Sequence, residues 1–354
     1  MRKSFVIQYE VNDACNLRCS HCYHGLKVVK ESPVTLQRLF EDIEPLKQHL
    51  GPDYDITICL SGGEALLRKD LLDLVLQISL KGYASFVLTN GTLVKPDTAA
   101  GLKLFGVKIA RISFDGGTAE IHDAIRGKGQ FDKALAGVRT LRASGLDVQL
   151  SHTLMMHHND APEQLEALFE MARREGIGKL NIFRMFGQGD AKDTPEYGFS
   201  DAKRFKAVLE NLWDLAERYA DLQVVIKDPL AKNLNRPLPP NLKIDVCCFI
   251  KQDHLTVAAS GKVYACRKLE THVGDIFSDT LLGIWQNSKL LQQLADRRQY
   301  MTGKCRSCKI NDQCQGGCLA ASYGQYRELF IPDPACWLEE TDAETPVAAK
   351  VALT

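Results

Sequence analysis

Between residues 5 and 184, short apolar runs alternate with longer stretches in which apolar residues recur every three to four positions. The short runs, at 5–9, 56–60, 85–88, 109–114, 147–154 and 179–183, have the length of buried strands and are rich in valine and isoleucine. The periodic stretches at 35–49, 69–80, 132–144 and 161–175 predict amphipathic helices. Repetition of strand and helix predicts an α/β fold with a parallel sheet, whose functional loops collect at the carboxyl ends of the strands. Six such units are too few to close an eight-stranded barrel. After residue 187 the rhythm changes to a helix at 201–219, a strand at 223–226 and a proline-rich stretch at 236–240. The chain therefore divides into a first domain at 1–190, a bridging region at 191–245, a second domain at 246–340 and a tail at 341–354.

The loop after the first strand carries Cys15, Cys19 and Cys22 in the spacing C-x3-C-x2-C. Three thiolates in this register can wrap one face of a [4Fe-4S] cube and leave the fourth iron open to a small chelating ligand. Cys19 and Cys22 also form a zinc half-site, with Cys15 as a third ligand. Ser61-Gly62-Gly63-Glu64 follows the second strand and Thr89-Asn90-Gly91 ends the third. Ser113-Phe114-Asp115-Gly116 ends the fourth, and His122-Asp123-Ala124-Ile125-Arg126-Gly127 comes next. Each of these alone reads as a turn.

Taken with the cysteines, the set resembles the radical S-adenosylmethionine (SAM) superfamily. That resemblance implies a partial (βα)6 TIM-like barrel, open on one side. It implies a [4Fe-4S] cluster on Cys15, Cys19 and Cys22, whose open iron takes the amino and carboxylate groups of SAM. One electron then cleaves SAM to a 5'-deoxyadenosyl radical, so that the difficult chemistry belongs to the cofactor. It also implies Gly62, Gly63 and Glu64 at the SAM amino group, Asn90 and Ser113 at the ribose, and Arg126 on the SAM carboxylate, a task suited to a guanidinium fork. His21 stands where the family carries an aromatic residue near the adenine. Arg184, at the end of the sixth strand, reads equally as a substrate-facing or a salt-bridged residue. Cys59 lies in an apolar strand and reads as a small core residue.

Eight further cysteines follow: Cys247, Cys248, Cys266, Cys305, Cys308, Cys314, Cys318 and Cys336. The G-x4-C at Gly261 to Cys266 and the register C-x2-C-x5-C-x3-C from Cys305 to Cys318, with Cys336 trailing, resemble the SPASM extension of radical SAM proteins. This implies two auxiliary iron–sulfur clusters. The inner one would use Cys266, Cys318 and one or both of Cys247 and Cys248, because successive side chains diverge. The outer one would use Cys305, Cys308, Cys314 and Cys336. Two zinc knuckles are the alternative.

The 44 basic and 44 acidic residues balance, so no bulk field attracts nucleic acid or an anionic membrane. No apolar run is long enough to cross a bilayer, and a cytoplasmic protein is expected. In that reducing compartment twelve cysteines are better used as metal ligands than as disulfides. The family resemblance implies an external one-electron reductant such as flavodoxin or ferredoxin, and a peptide maturase is the first functional expectation. Few residues precede Cys15, so leader-peptide recognition is expected from a separate protein or from another surface. Two alternatives remain. One is haem or tetrapyrrole side-chain modification, with Arg184 and Arg267 on propionates. The other is formylglycine formation, against which stands Arg267 after Cys266, where sulfatase maturases show an aspartate.

Overall fold

The structure is a computed structural model and describes residues 2–25, 31–246 and 252–339. Cys247, Cys248 and the expected tail at 341–354 lie outside the described residues. The six expected strands are β1 (Lys3–Glu10), β2 (Tyr54–Ser61), β3 (Ala84–Thr89), β4 (Val107–Ser113), β5 (Asp147–Leu154) and β6 (Lys179–Arg184). Each is parallel to the next. The residues expected to bridge two domains instead extend this sheet, through β7 (Gln223–Ile226) and β8 (Leu242–Ile244). On the opposite side β9 (His254–Val257) runs parallel to β1. The antiparallel β10 (Lys262–Tyr264) and β11 (Gly274–Asp275) then complete an 11-stranded sheet. Its two edge strands, β8 and β11, do not pair, so the barrel stays open.

The expected helices form within about two residues of their predicted ends: α1 (Leu36–Leu50), α2 (Leu71–Leu80), α5 (Gln130–Ala143), α6 (Pro162–Arg174) and α7 (Ala202–Arg218). Local chemistry sets their starts. Thr35 caps α1 by accepting from Arg38 N–H at 3.1 Å, and Asp201 caps α7 by accepting from the N–H groups of Lys203 and Arg204. Two helices escape the pattern, α3 (Pro96–Leu104) and α4 (Ala119–Arg126). In α3 only Ala99 and Leu102 are buried, and the buried side of α4 includes His122 and Arg126, so neither presents a full apolar stripe. In the carboxyl-terminal part α8 (Leu281–Asn287), α9 (Lys289–Ala295), α10 (Asn311–Cys314) and α11 (Leu319–Tyr326) follow.

The alternation along β1 sorts its side chains. Phe5, Ile7 and Tyr9 are fully buried in the main core, while Gln8 donates to Ser61 Oγ at 3.0 Å. Phe5 meets Trp285 of α8 edge to face at 5.2 Å, which ties the carboxyl-terminal part to the barrel. Cys59 is buried in β2, as its apolar setting predicts. Its thiol is pushed up to about 12 by burial.

Candidate active site

The cysteine loop leaves β1 at the carboxyl edge of the sheet and is braced by the ends of β2, β3 and β4. Gly62 and Gly63 lie against its backbone: Gly63 N–H donates to Asn12 O at 3.2 Å and Glu64 N–H to Ala14 O at 2.8 Å. A Cβ on Gly63 would stand 2.3 Å from Ala14 O and 2.6 Å from Asp13 O. Gly62, at φ +142°, adopts a backbone that side chains disfavour. These glycines therefore let the turn after β2 pack directly against the cysteine loop. Gly63→Ala must displace that loop, since backbone atoms block the new methyl group. A loss of about 1–3 kcal/mol is expected, with reduced iron occupancy; urea unfolding and iron analysis of the variant check both.

Glu64 is fully buried, and its carboxylate is already engaged by this chain. It accepts from Thr89 Oγ1 at 2.7 Å, Asn90 N–H at 2.7 Å and Leu66 N–H at 3.0 Å. Burial raises its carboxyl above the usual range against the pull of those donors. About one of its four acceptor positions is left for a ligand. Asn90 braces the loop in the same way, donating to Asn16 Oδ1 at 2.9 Å and approaching Cys15 Sγ at 4.0 Å. Ser113, at the end of β4, makes no hydrogen bond through its hydroxyl among the described residues.

Arg126, at the end of α4, reaches back over the cysteines. Its Nε donates to Asp115 Oδ2 at 2.6 Å, Nη1 lies 3.8 Å from Cys19 Sγ, and Nη2 lies 3.5 Å from His21 Nε2. Asp115 is wholly buried and also accepts from Thr153 N–H at 2.8 Å. Burial alone would raise its carboxyl, but Arg126 and the histidines His21 and His152 outweigh burial and hold it well below the usual range. Burial drives His21 the other way, down to about 4, so its imidazole is neutral at pH 7. The Cys19 thiol is pushed up to about 11 by burial, against the pull of Arg126. Metal binding removes those thiol protons.

The donor set, three thiols on one loop with a guanidinium beside them, suits an anionic iron–sulfur cluster. Cys19 feels the charges of both Cys15 and Cys22, so the three sit together. The outer set behaves likewise: Cys305 is pushed up to about 12 by burial and then by Cys314, Cys336 and Cys308 beside it. Arg297 donates to the carbonyls of Cys314 and Gly317, at 3.3 and 2.8 Å, and Lys304 to that of Cys336 at 2.9 Å. Cationic side chains thus back the segments that would carry an anionic cluster. Cys266 and Cys318 both pack against the cluster of Phe186, Leu269 and Ala320, apart from that set.

Two arginines considered for substrate are each paired within the chain, Arg184 through all of its guanidinium and Arg267 through Nε. Arg184 is buried, with Nε 2.9 Å from Asp228 Oδ2 and a two-pronged pair to Asp333 at 3.0 and 2.5 Å. Of the two readings of Arg184, the salt-bridged one holds. Arg267 places Nε 2.7 Å from Glu10 Oε1 and stacks over Tyr264 at 4.8 Å. Neither Asp115 nor Asp333 stood out as functional in the sequence, because a lone aspartate carries no local signal of its partner.

The radical SAM superfamily model matches residues 9–172, and the SPASM iron–sulfur cluster-binding domain matches residues 247–309. Among curated proteins, the AdoMet-dependent heme synthase of Nitratidesulfovibrio vulgaris is 26% identical, covering 94% of this chain and 91% of its own length. The mycofactocin maturase MftC of Mycolicibacterium smegmatis is 29% identical, covering 93% of this chain and 82% of its own. Among solved structures, anSMEcpe with bound AdoMet and Kp18Cys peptide superposes with a TM-score of 0.73 at 17% identity, over 95% of this chain and 94% of that one. Streptococcus suis SuiB bound to its precursor peptide SuiA gives 0.71 at 16%, over 96% of this chain and 77% of that one. At such identities these structures show a shared fold.

Proposed function

The chain belongs to the radical SAM superfamily and carries a SPASM iron–sulfur domain, and on that premise we propose that it modifies a peptide by hydrogen abstraction, forming a crosslink or an oxidised residue. Cys15, Cys19 and Cys22 would hold the [4Fe-4S] cluster, which with SAM bound supplies a 5'-deoxyadenosyl radical after one-electron reduction. An external donor such as flavodoxin or ferredoxin would deliver that electron.

The residues of the chain perform the positioning. Asp115 fixes Arg126 through a charge-assisted bond and leaves its outer N–H groups to meet the SAM carboxylate. Neutral His21 lies beside them, where the adenine would pack. Glu64 keeps the turn after β3 in place and has room for one further donor, the SAM amino group. Ser113 offers an uncommitted hydroxyl to the ribose, and Asn90 holds the loop from below. Auxiliary clusters on Cys266 and Cys318, and on Cys305, Cys308, Cys314 and Cys336, would take the second electron from a substrate radical. Cys247 and Cys248 are the candidates to complete the inner one.

The observation favouring a peptide over a tetrapyrrole is the internal pairing of Arg184. All three guanidinium nitrogens of Arg184 are taken by Asp228 and Asp333, whereas Arg267 is held by Glu10 at Nε alone. No helix among the described residues is long and apolar enough to cross a membrane. The test uses the anaerobically reconstituted protein with SAM and a reductant, offered a randomised deuterated peptide pool or coproporphyrin. Deuterium entering 5'-deoxyadenosine together with a peptide mass change is expected. Consumption of the porphyrin with untouched peptides would overturn the reading.

A further inference from the structure

Of the cations gathered at the carboxyl end of the sheet, Arg126 is held by Asp115, Arg184 by Asp228 and Asp333, and Arg267 by Glu10. Lys268 is different. It lies in the turn closed by Leu269 N–H donating to Cys266 O at 2.9 Å. Its Nζ sits 4.3 Å from the ring centroid of Phe183 and 4.6 Å from that of Phe186, at the end of β6. That Nζ is shut off from solvent and has no hydrogen-bond partner among the described residues. Two residues beyond Phe186, the buried Gln188 also has its Nε2 without an acceptor among them.

The position matters as much as the missing partner. On one side the charge of Lys268 is felt by His21, which precedes Cys22. On the other, Phe186 shares a small apolar cluster with Cys266 and Cys318. The ammonium therefore stands between residues of the radical site and residues of the inner auxiliary site. A substrate that gives a hydrogen atom at the first and an electron toward the second must occupy that interval. Burial strips an ammonium of its hydration, and two ring faces restore only part of the loss. Donors without acceptors call for an acceptor-only group. We propose that Lys268 binds a carboxylate of the substrate and so fixes which carbon faces the radical site. This rests on the peptide reading only for the source of the carboxylate, a peptide C-terminus or acidic side chain.

The test uses the full-length, anaerobically reconstituted, SAM-bound protein, with 3-phenylpropionate and 3-phenylpropionamide as probes in calorimetry. The wild type is expected to prefer the acid at least tenfold. Lys268→Met should bind acid and amide alike, and Lys268→Arg should stay within threefold of wild type. Iron content and the potentials of the auxiliary clusters, measured in parallel, should not move. No acid preference in the wild type would overturn the proposal, as would unchanged affinity in Lys268→Met. So would a shifted cluster potential with binding intact, which would make the lysine a partner of the cluster. N-acetylphenylalanine and coproporphyrin separate the sources. Binding of the former that depends on Lys268 supports a peptide carboxylate. Such dependence for the porphyrin alone keeps the carboxylate site and removes the peptide reading.

Discussion

Arg184→Met is expected to lower stability by about 3–5 kcal/mol, because it breaks a buried ion pair from one side only. The guanidinium is 1% exposed and is flanked by Asp228 and Asp333, both also buried. It stacks over Phe205 of α7 at 4.5 Å, so methionine replaces part of the packing but none of the charge. Asp333 also accepts from the N–H groups of Cys318 and Ala335, at 2.8 and 2.9 Å. Arg184 thus joins β6, through Asp333, to the backbone at Cys318. Burial raises Asp228 to about 6 even with Arg184 beside it. A carboxyl whose pKa is higher in the folded than in the unfolded chain contributes most at low pH, and that contribution is lost as pH rises through the folded value. Without Arg184 the upward shift grows, so the deficit of the variant should be smaller at pH 5.5 than at pH 8. Urea unfolding at both values measures this. A loss below about 1 kcal/mol at pH 8, or a larger deficit at pH 5.5, would show that the pair does not carry the junction.

The parts of this fold that repeat locally were legible in the sequence. Strands β1 to β7 and the amphipathic helices declare themselves within a dozen residues through their periods. The cysteine registers are equally local, since they are spacings within one loop; the clusters proposed on them are what iron counts test. What was hidden is long-range or polar. The three residues of β8 follow a proline-rich stretch that reads as a linker, and only pairing with β7 makes them a strand. Arg184 meets Asp333 across 149 positions and Arg267 meets Glu10 across 257, so nothing near either arginine announces its partner. Arg184 therefore read equally as substrate-facing or salt-bridged, and Arg267 as a partner for propionates. Lys268 had the opposite fate: an ordinary lysine in the sequence, it becomes notable only when the turn after Cys266 places it over two phenyl rings. The glycines after β2 read as a turn in the sequence, and the backbone of Asn12 to Ala14 that they pack against needed the fold.

Replacing Cys15, Cys19 and Cys22 together by alanine is expected to remove one cluster and leave the others. The wild type should hold about twelve irons if all three clusters are [4Fe-4S], and the variant about eight. The auxiliary cysteines lie elsewhere in the fold and keep their own cationic backing from Arg297 and Lys304. Stoichiometric zinc with only four irons in the wild type would mean instead that the carboxyl-terminal cysteines form zinc knuckles. Iron counts locate the clusters; the chemistry assigned to the first one needs its product. The measurement is 5'-deoxyadenosine formed from SAM by the anaerobically reduced wild type and by the triple variant. Steady formation by the wild type with none above background in the variant is the predicted result. SAM cleavage that persists in the variant would contradict the account.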